Sequence, residues 1–331
     1  MYQLPGLFIF MSMFRESAHP LNRASFWGAC CSVILLISCG SREKGATDGT
    51  PLPEKEPKVL IIGIDGCMPT GITAANTPNL DALMANGTYS LTARNTGTTI
   101  SGPSWSAMLT GVWEDKHGVT DNSFDGSNYT EYPHFFKMIE EADPKYKTVS
   151  VSQWHPINDK IATMADVSVN SMDSSEDTKN KAIAEIGAQD LKALFVHFDD
   201  VDHAGHGSGY STENPKYLES IERVDTAIGA VVSALKGRKD YNNEAWVIMV
   251  STDHGGIGTG HGGDTDEERT IFMIVSGDGV PKIDLSKPSK GAVYTPKTVD
   301  LAPTVMAHLC IPVRPEWEWD GRSLLENACK N

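Results

Sequence analysis

Aspartate and histidine residues of this chain cluster in three short glycine-rich segments where they could hold metal ions. Asp202 and His206 begin and end the segment Asp-His-Ala-Gly-His, Asp253 and His254 are adjacent in Thr-Asp-His-Gly-Gly, and His261 follows in Gly-His-Gly-Gly-Asp. Neutral imidazole and carboxylate together are a common ligand set for Zn²⁺ in proteins. A single histidine in such a place is more often structural, but three beside aspartates favour a metal site.

Hydrolysis at such a site also needs a nucleophile, and Ser101 is the candidate. Two metal ions about 4 Å apart can hold both the attacking and the leaving oxygen of an in-line displacement. Ser101 lies just before Pro103, which can begin a helix, and the amides and dipole of a helix N-terminus favour an anionic oxygen. Thr98 and Thr99 are competing hydroxyls, and Ser-Gly-Pro alone is usually a turn.

Apolar runs predict the strands that position these residues. The runs at residues 59–62, 193–198, 246–250 and 271–275 suit strands that are buried on both faces of a parallel sheet. Asp65 follows the first run, Asp199 the second and Asp253 the third. Ligands of open α/β sheets bind beyond the carboxyl ends of the strands. We therefore expect the three strand ends to bring their aspartates to one edge.

Helical periodicity separates the predicted strands. Apolar residues recur at three- and four-residue spacing from Tyr217 to Leu235, and Asn214 and Pro215 supply a cap and a first-turn proline. Shorter helices are predicted at residues 79–86 and 299–309. Strands alternating with helices predict an α/β sandwich, with a central, mostly parallel sheet and helices on both faces.

The motifs and their order along the chain resemble those of the alkaline phosphatase superfamily, and most closely those of its type I phosphodiesterase/nucleotide pyrophosphatase family. The resemblance runs from residue 58 to about residue 325. The matching segments are the metal-binding turn at 64–66, Thr-Pro-Asn-Leu at 77–80, the stretch after the nucleophile at 110–119, Asp-x-x-Gly-His at 202–206, Asp-His-Gly at 253–255 and His-Gly-x-Asp at 261–264. Counting back from Thr110 places the nucleophile of the family on Ser101.

The resemblance implies a division of the ligands between two Zn²⁺ ions and an alkaline-phosphatase-like fold. Asp202, His206 and His261 would hold one ion. The other would be held by the remaining four residues: Asp65, Ser101, Asp253 and His254. Attack of Ser101 on phosphorus would give a phosphoseryl intermediate, which water then hydrolyses. The implied enzyme is a phosphodiesterase or phosphatase for a small-molecule phosphate ester.

Substrate specificity is less well indicated. The asparagine that the resemblance predicts after the proline is Ser104 here, and only five residues, 256–260, separate Asp-His-Gly from the last histidine. A long insertion at that place in nucleotide pyrophosphatases is therefore missing, so nucleotide specificity is not carried over. We predict that the substrate contacts Ser104, Asn122, Trp154 and His155. Each of these residues could equally pack in the core or a loop.

Three alternatives remain open. A sulfatase would use a modified Ser101, since residues 101–104 match the first four positions of the sulfatase motif, although Trp105 stands where arginine is expected. Sulfatases also favour an oxygen-rich Ca²⁺ site, whereas this ligand set is rich in histidine. A phosphomonoesterase would use the same fold and metals. A binding lipoprotein without catalysis is the third possibility, but every expected ligand is present.

The N-terminus predicts export. Arg15 and Arg23 precede an apolar run that ends in Leu-Ile-Ser-Cys at Cys39, which is typical of a lipoprotein signal peptide spanning residues 1–39. The alternative is a plain signal peptide with an incidental cysteine. Residues 40–57 read as a flexible tether and residues 58–331 as the metallohydrolase domain. We expect a protein of the periplasm, outer membrane or cell surface that contacts the membrane only through a lipid on Cys39.

Composition limits the partners. The formal net charge of −15 argues against a nucleic-acid polymer, because phosphate backbones are bound by clustered lysine and arginine. The charge is also consistent with solubility alone. Of the cysteines in the predicted domain, Cys67 reads as a small buried thiol, whereas Cys310 and Cys329 could pair.

Overall fold

One mixed β-sheet forms the centre of the molecule. The computed structural model describes residues 55–172, 174–188, 190–287 and 294–325. The predicted signal peptide with Cys39, residues 40–54 of the predicted tether, and Cys329 lie outside the described residues. All described residues belong to one compact unit, Pro51–Asn331.

The sheet contains eight strands within the described residues. They are β1 Glu56–Ile64, β2 Gly87–Arg94, β3 Lys147–Ser152, β4 Val167–Asn170, β5 Leu191–Phe198, β6 Glu244–Ser251, β7 Thr270–Gly277 and β8 Ile283–Asp284. Their order in the sheet is β4-β3-β5-β1-β6-β7-β2-β8. Strand β7 is antiparallel to both of its neighbours, and the other pairs are parallel. The predicted, mostly parallel sheet is confirmed.

Helices cover both faces of this sheet. They are α1 Pro69–Ala74, α2 Pro78–Ala85, α3 Ser101–Thr110, α4 Glu114–His117, α5 Phe135–Ala142, α6 Ser175–Ile186, α7 Asp200–Ser208, α8 Pro215–Lys236, α9 Asp266–Arg269 and α10 Leu301–His308. The described residues also contain a π-helical turn at Ile157–Ile161 and 3₁₀ turns at Tyr241–Asn243, Thr298–Asp300 and Pro315–Trp317. No helix in the described part of the chain combines the length and the apolar character that a membrane span requires.

Two hydrophobic clusters make up the core. Along β1, Leu60 and Ile62 face the cluster formed with α1, α2, α6 and α8. Val59 and Ile61 point to the opposite face, into the cluster formed with α3, α5 and α10. This alternation follows from the two-residue period of a strand, and it explains why the first run is apolar throughout. Both faces of β1 are therefore buried up to its carboxyl end.

The predicted long helix has the expected boundaries. Helix α8 begins at Pro215, and the side chain of Asn214 accepts a hydrogen bond from the amide of Lys216. The predicted helix at 299–309 starts instead as a 3₁₀ turn and becomes α-helical at Leu301. Strand β1 begins at Glu56, two residues before the predicted start of the domain.

Candidate metal centre

The aspartates of the predicted site meet at the carboxyl edge of three adjacent strands. Strand β1 lies between β5 and β6. Asp65 directly follows β1, and Asp253 follows β6 after one intervening residue. Asp202 lies in the first turn of α7, which begins two residues after β5 ends. Because the three strands are parallel, their carboxyl ends lie together.

The first group of potential ligands, called group A, consists of Asp202, His206 and His261. One potential ligand atom from each residue lies within 4.8 Å of the other two. Asp202 and His206 are one helical turn apart on α7, and Oδ2 of the former is 3.3 Å from Nε2 of the latter. The Nε2 atoms of His206 and His261 are 3.1 Å apart.

The second group, called group B, consists of Asp65, Asp253 and His254, all of which are buried. Nε2 of His254 lies 3.5 Å from Oδ1 of Asp65 and 3.3 Å from Oδ2 of Asp253. The rings of His254 and His261 are stacked with their centroids 3.7 Å apart. This stacking joins the two groups into one centre.

The three histidines present the same nitrogen to the centre. In each of them Nδ1 faces a backbone carbonyl oxygen at hydrogen-bond distance: 2.9 Å for His206 and Thr259, 2.8 Å for His261 and Thr99, and 2.8 Å for His254 and Gly255. A carbonyl only accepts, so Nδ1 donates its proton and Nε2 keeps a free lone pair. Two such lone pairs 3.1 Å apart in group A repel each other unless a cation lies between them.

In group B the carboxylates, rather than the histidine nitrogens, indicate a cation. Oδ1 of Asp65 and Oδ2 of Asp253 are buried and have no hydrogen-bond partner among the described residues. Burial, followed by the charges of Asp253 and Asp202, raises the pKa of Asp65 well above its usual range. Burial and the charge of Asp202 do the same to the pKa of Asp253. A buried carboxylate is costly unless it is paired or binds a metal, so these residues fit divalent cations.

Ser101 lies beside group B at the start of a helix. It is the first residue of the ten-residue helix α3, and its Oγ is 3.4 Å from Nε2 of His254. The competing hydroxyl of Thr99 is already engaged, because it donates to the carbonyl of Gly263 and accepts from the amide of Gly262. Ser101 thus lies at a helix N-terminus, as the sequence predicted, and its role as a nucleophile stays a prediction.

Trp105 and His197, for which the sequence predicted no contact with Asp65, hold that residue in place. Oδ2 of Asp65 accepts hydrogen bonds from Nε1 of Trp105 at 2.8 Å and from Nε2 of His197 at 3.2 Å. His197 donates there because its Nδ1 accepts from the amide of Trp154. Burial lowers the pKa of His197 to about 4, so the ring is neutral. The one available signal was a histidine inside the apolar run of β5.

Asn95 is a further residue that the sequence did not single out. Its buried carboxamide donates to Oγ of Ser104 at 2.8 Å and to the carbonyl of Asp253 at 2.9 Å, and it accepts from the amide of Gly97. It thus ties the loop before Ser101, helix α3 and the end of β6 together. A single asparagine after a strand carries no sequence signal for this role.

Gly66 shows why glycine follows the first ligand. Its φ is +62°, a conformation that side chains rarely adopt. A Cβ atom there would lie 2.4 Å from Oδ1 of Asp202. The Asp-Gly pair therefore lets the turn after β1 approach the ligand on α7.

The four predicted substrate contacts have different surroundings. Ser104 is buried, and its hydroxyl donates to the carbonyl of Thr98, so it faces the loop rather than an open site. Asn122 is exposed, and its Oδ1 accepts from the amide of Gly102, next to the nucleophile. Half-buried Trp154 packs on Phe124, and exposed His155 contacts the carbonyl of Ser171. Substrate contact stays a prediction for all four.

Comparison with known proteins identifies the family. A sequence profile described as "Type I phosphodiesterase / nucleotide pyrophosphatase" matches residues 59–148 and 134–267. The chain belongs to this family. Membership supports a hydrolase, and the predicted family resemblance is confirmed.

Individual relatives of this family member are distant. The 2,3-bisphosphoglycerate-independent phosphoglycerate mutase of Agrobacterium fabrum is 26% identical over 256 residues, which cover 76% of this chain and 46% of the mutase. The Bis(5'-adenosyl)-triphosphatase ENPP4 of Homo sapiens is 22% identical over 246 residues, which cover 67% of this chain and 52% of ENPP4. The chain thus spans about half the length of these curated relatives.

Solved structures confirm the alkaline-phosphatase-like fold. Murine ectonucleotide pyrophosphatase/phosphodiesterase 5 aligns with a TM-score of 0.60 and 15% identity, over 78% of this chain and 96% of that one. A 2-O GAG sulfatase aligns with a TM-score of 0.65 and 17% identity, over 82% of this chain and 73% of that one. At these identities the likeness shows the fold alone.

Proposed function

We propose that the protein is an exported phosphoesterase that holds two Zn²⁺ ions and acts on a small-molecule phosphate diester through a phosphoseryl intermediate on Ser101. The observation that carries this proposal is the meeting of groups A and B at the stacked rings of His254 and His261, beside Ser101 at a helix N-terminus. Family membership supports a hydrolase of this class.

The ligands divide between the ions according to the two groups. Group A would hold one ion, and group B together with Ser101 would hold the other. When bound, ions at these positions neutralise the buried carboxylates, favour the deprotonated serine and stabilise the attacking and leaving oxygens of an in-line displacement. The histidine-rich donor set favours zinc over calcium.

The reaction proceeds in two displacements. Ser101 Oγ forms a bond to phosphorus while the bond between phosphorus and the leaving alcohol oxygen breaks. The serine proton passes to water, and the leaving oxygen takes up a proton. Water then attacks the phosphoserine, which restores the serine hydroxyl and releases a phosphate monoester. The N-terminus of α3 favours the anionic phosphoryl group on Ser101 throughout.

Asn122 is the residue that we propose for holding the phosphoryl group. Its Oδ1 is fixed on the amide of Gly102 at 2.7 Å, so the carboxamide has a defined orientation beside the nucleophile. Its NH₂ group carries two donors and belongs to an exposed side chain. These donors suit a non-bridging oxygen of the substrate.

The charges at the centre favour a diester over a monoester. Within the described residues, no lysine or arginine lies within ion-pair distance of the aspartates of groups A and B, whose nearest basic neighbours are histidines. The nearby Arg269 donates to the backbone carbonyl of Gly97. Two divalent ions and the three aspartates of groups A and B leave one positive charge. This charge balances the single negative charge of a diester, whereas a monoester dianion needs an additional cation.

A sulfatase is the alternative that the Ser-Gly-Pro-Ser segment suggests. Its fifth motif position is Trp105, whose indole donates to Asp65. An arginine at position 105 would place a positive charge beside Asp65, in addition to the cation that we propose for this carboxylate. Calcium in place of zinc, together with formylglycine at position 101, would contradict the phosphoesterase proposal.

Export rests on the N-terminal sequence. We propose that residues 1–39 are a lipoprotein signal peptide, that a lipid on Cys39 anchors residues 58–331 through the tether, and that the enzyme works in the periplasm or at the cell surface. Metabolic labelling with a radioactive fatty acid tests this. Cys39→Ala should abolish the label, and a retained label would contradict the anchor.

Substitution of Ser101 tests the enzymatic proposal. The purified zinc-loaded protein should hydrolyse an aryl phosphodiester faster than the aryl monoester or aryl sulfate. Ser101→Ala should lower diester turnover by at least about 10³-fold, as expected for loss of a nucleophile. Acid quenching during turnover should leave a phosphorylated peptide that contains Ser101, detected by mass spectrometry.

Thr98→Val is the matched control. It removes the competing hydroxyl of Thr98 from the loop before Ser101 and should leave turnover near the wild-type value. Full activity of Ser101→Ala would overturn the phosphoseryl mechanism. Preferred hydrolysis of the aryl monoester would replace the diesterase with a phosphomonoesterase.

A further inference from the structure

Tyr210 lies against group A and has no assigned role. Its hydroxyl donates to Oδ1 of Asp202 at 2.5 Å. Its ring packs edge-on against His206 and His261, with centroids 5.7 and 6.3 Å away. The side chain is 5% exposed, so it is an internal part of the centre. One side chain therefore contacts every member of group A.

Two glycines of the metal-binding segments make room for this ring. A Cβ atom on Gly205 would lie 2.3 Å from Cε1 of Tyr210, and one on Gly256 would lie 2.5 Å from its Cγ. For both positions the three nearest atoms all belong to Tyr210. The glycines in Asp-His-Ala-Gly-His and Thr-Asp-His-Gly-Gly thus accommodate a tyrosine that neither segment contains.

We propose that Tyr210 is a positioning residue that sets the ion affinity of group A. Its hydroxyl binds Oδ1 of Asp202, which lies 3.8 Å from Nε2 of His261, and leaves Oδ2, which lies 3.3 Å from Nε2 of His206, available to the ion. Its ring fixes the two imidazoles at the same time. The hydrogen-bond partners of ligands orient them, and their removal typically weakens metal binding by roughly 10–100-fold. The inference rests on the proposed ion in group A.

Zinc competition against a chromophoric chelator tests the inference on the full-length protein. The wild-type protein should show two binding steps. Tyr210→Phe, which keeps the ring but loses the hydroxyl, should weaken one step by roughly 10–100-fold and leave the other unchanged. Tyr241→Phe is the matched control, since this half-buried tyrosine lies in the 3₁₀ turn before β6, and both steps should match the wild type.

A second variant covers the case in which metal-free Tyr210→Phe fails to fold, as judged by circular dichroism. Gly205→Ala keeps the hydroxyl but displaces the ring, and it should weaken the same step. Unchanged binding by the variant that folds would overturn the role of Tyr210 and leave the two-ion proposal intact. A single binding step in the wild-type protein would instead overturn the two-ion proposal itself.

Discussion

Groups A and B contain similar ligands but differ in their access to water. In group B the side chains of Asp65, Asp253 and His254 are 0–1% exposed. In group A the side chain of His206 is 46% exposed, while those of Asp202 and His261 are 10% exposed. The difference follows from position, because group B lies on loops directly after central strands and group A includes a helix that faces outward.

The same difference appears in how the ligands are supported. Asp65 in group B accepts hydrogen bonds from Trp105 and His197, both of which are fully buried. His206 in group A is held by a backbone carbonyl and by the ring of Tyr210. An ion held by buried ligands would contribute to folding stability, whereas an ion held by exposed ligands would exchange more easily. We therefore infer a structural contribution from group B and easier exchange at group A.

Removal of one histidine from each group is the strongest test of the difference between groups A and B. His254→Ala removes a proposed nitrogen ligand that is fully buried, at a place that water reaches poorly. Loss of a group that only supports a ligand typically weakens metal binding by roughly 10–100-fold, so loss of this direct ligand should weaken ion affinity by at least roughly 10²-fold. His206→Ala should cost less, because water replaces an exposed ligand. Zinc retention after dialysis measures both, and equal losses would contradict the asymmetry.

The pH dependence of the metal-free protein tests the electrostatic side of the comparison. Burial and the charge of Asp65 raise the pKa of Asp199 to about 7, and the pKa values of Asp65 and Asp253 are also raised. A carboxyl group with a raised folded-state pKa loses stability as pH rises from its unfolded pKa through the folded value. The lowered pKa values of His197 and His261 act in the opposite direction, but only below about pH 6.5.

The metal-free protein should therefore melt at a lower temperature at pH 8 than at pH 6.5. The expected shift is roughly 2–4 °C for each kcal/mol lost. Asp199→Asn should reduce the slope, and added zinc should raise the melting temperature most at pH 8. Differential scanning calorimetry after chelation measures this. A melting temperature that rises over this window would contradict the assigned burial of the carboxylates.

The residues of groups A and B could be predicted from the sequence to lie together, whereas the residues that support them could not. The sequence signals for Asp65, Asp253 and His254 are a residue type that binds metals and a position after an apolar run. Both signals are local. Trp105 and His197 act through single atoms that meet Asp65 from 40 and 132 residues away in the chain. Such contacts depend on which face of a strand or helix packs inward. Residue type and spacing do not specify that.

Strand pairing shows the same limit. The apolar run of β7 predicted a buried strand, and β7 is buried, but its antiparallel direction is set by the chain connection. Residues 252–269 between β6 and β7 carry Asp253, His254 and His261 rather than a long crossover helix. The segment that builds the site therefore also reverses the chain.

The smallest predicted loss of activity concerns Asn122, which contacts Gly102, the residue after Ser101, and belongs to neither group. Asn122→Ala removes the donors that we propose for the phosphoryl oxygen, and a hydrogen bond to a charged group contributes about 1.5–3 kcal/mol. The value of kcat/KM for an aryl phosphodiester should therefore fall by roughly 10–150-fold. Zinc content should not change, because the Asn122 side chain accepts from the amide of Gly102 and, within the described residues, bonds to no member of groups A and B.

Asn122→Asp separates this role from simple support of the loop. The aspartate keeps an acceptor for the amide of Gly102, but it places a negative charge where an anionic substrate would bind. It should therefore lower kcat/KM more than alanine does while preserving the melting temperature. If aspartate restored the activity lost in the alanine variant, Asn122 would serve only to hold the start of α3, and the phosphoryl group would depend on groups A and B alone.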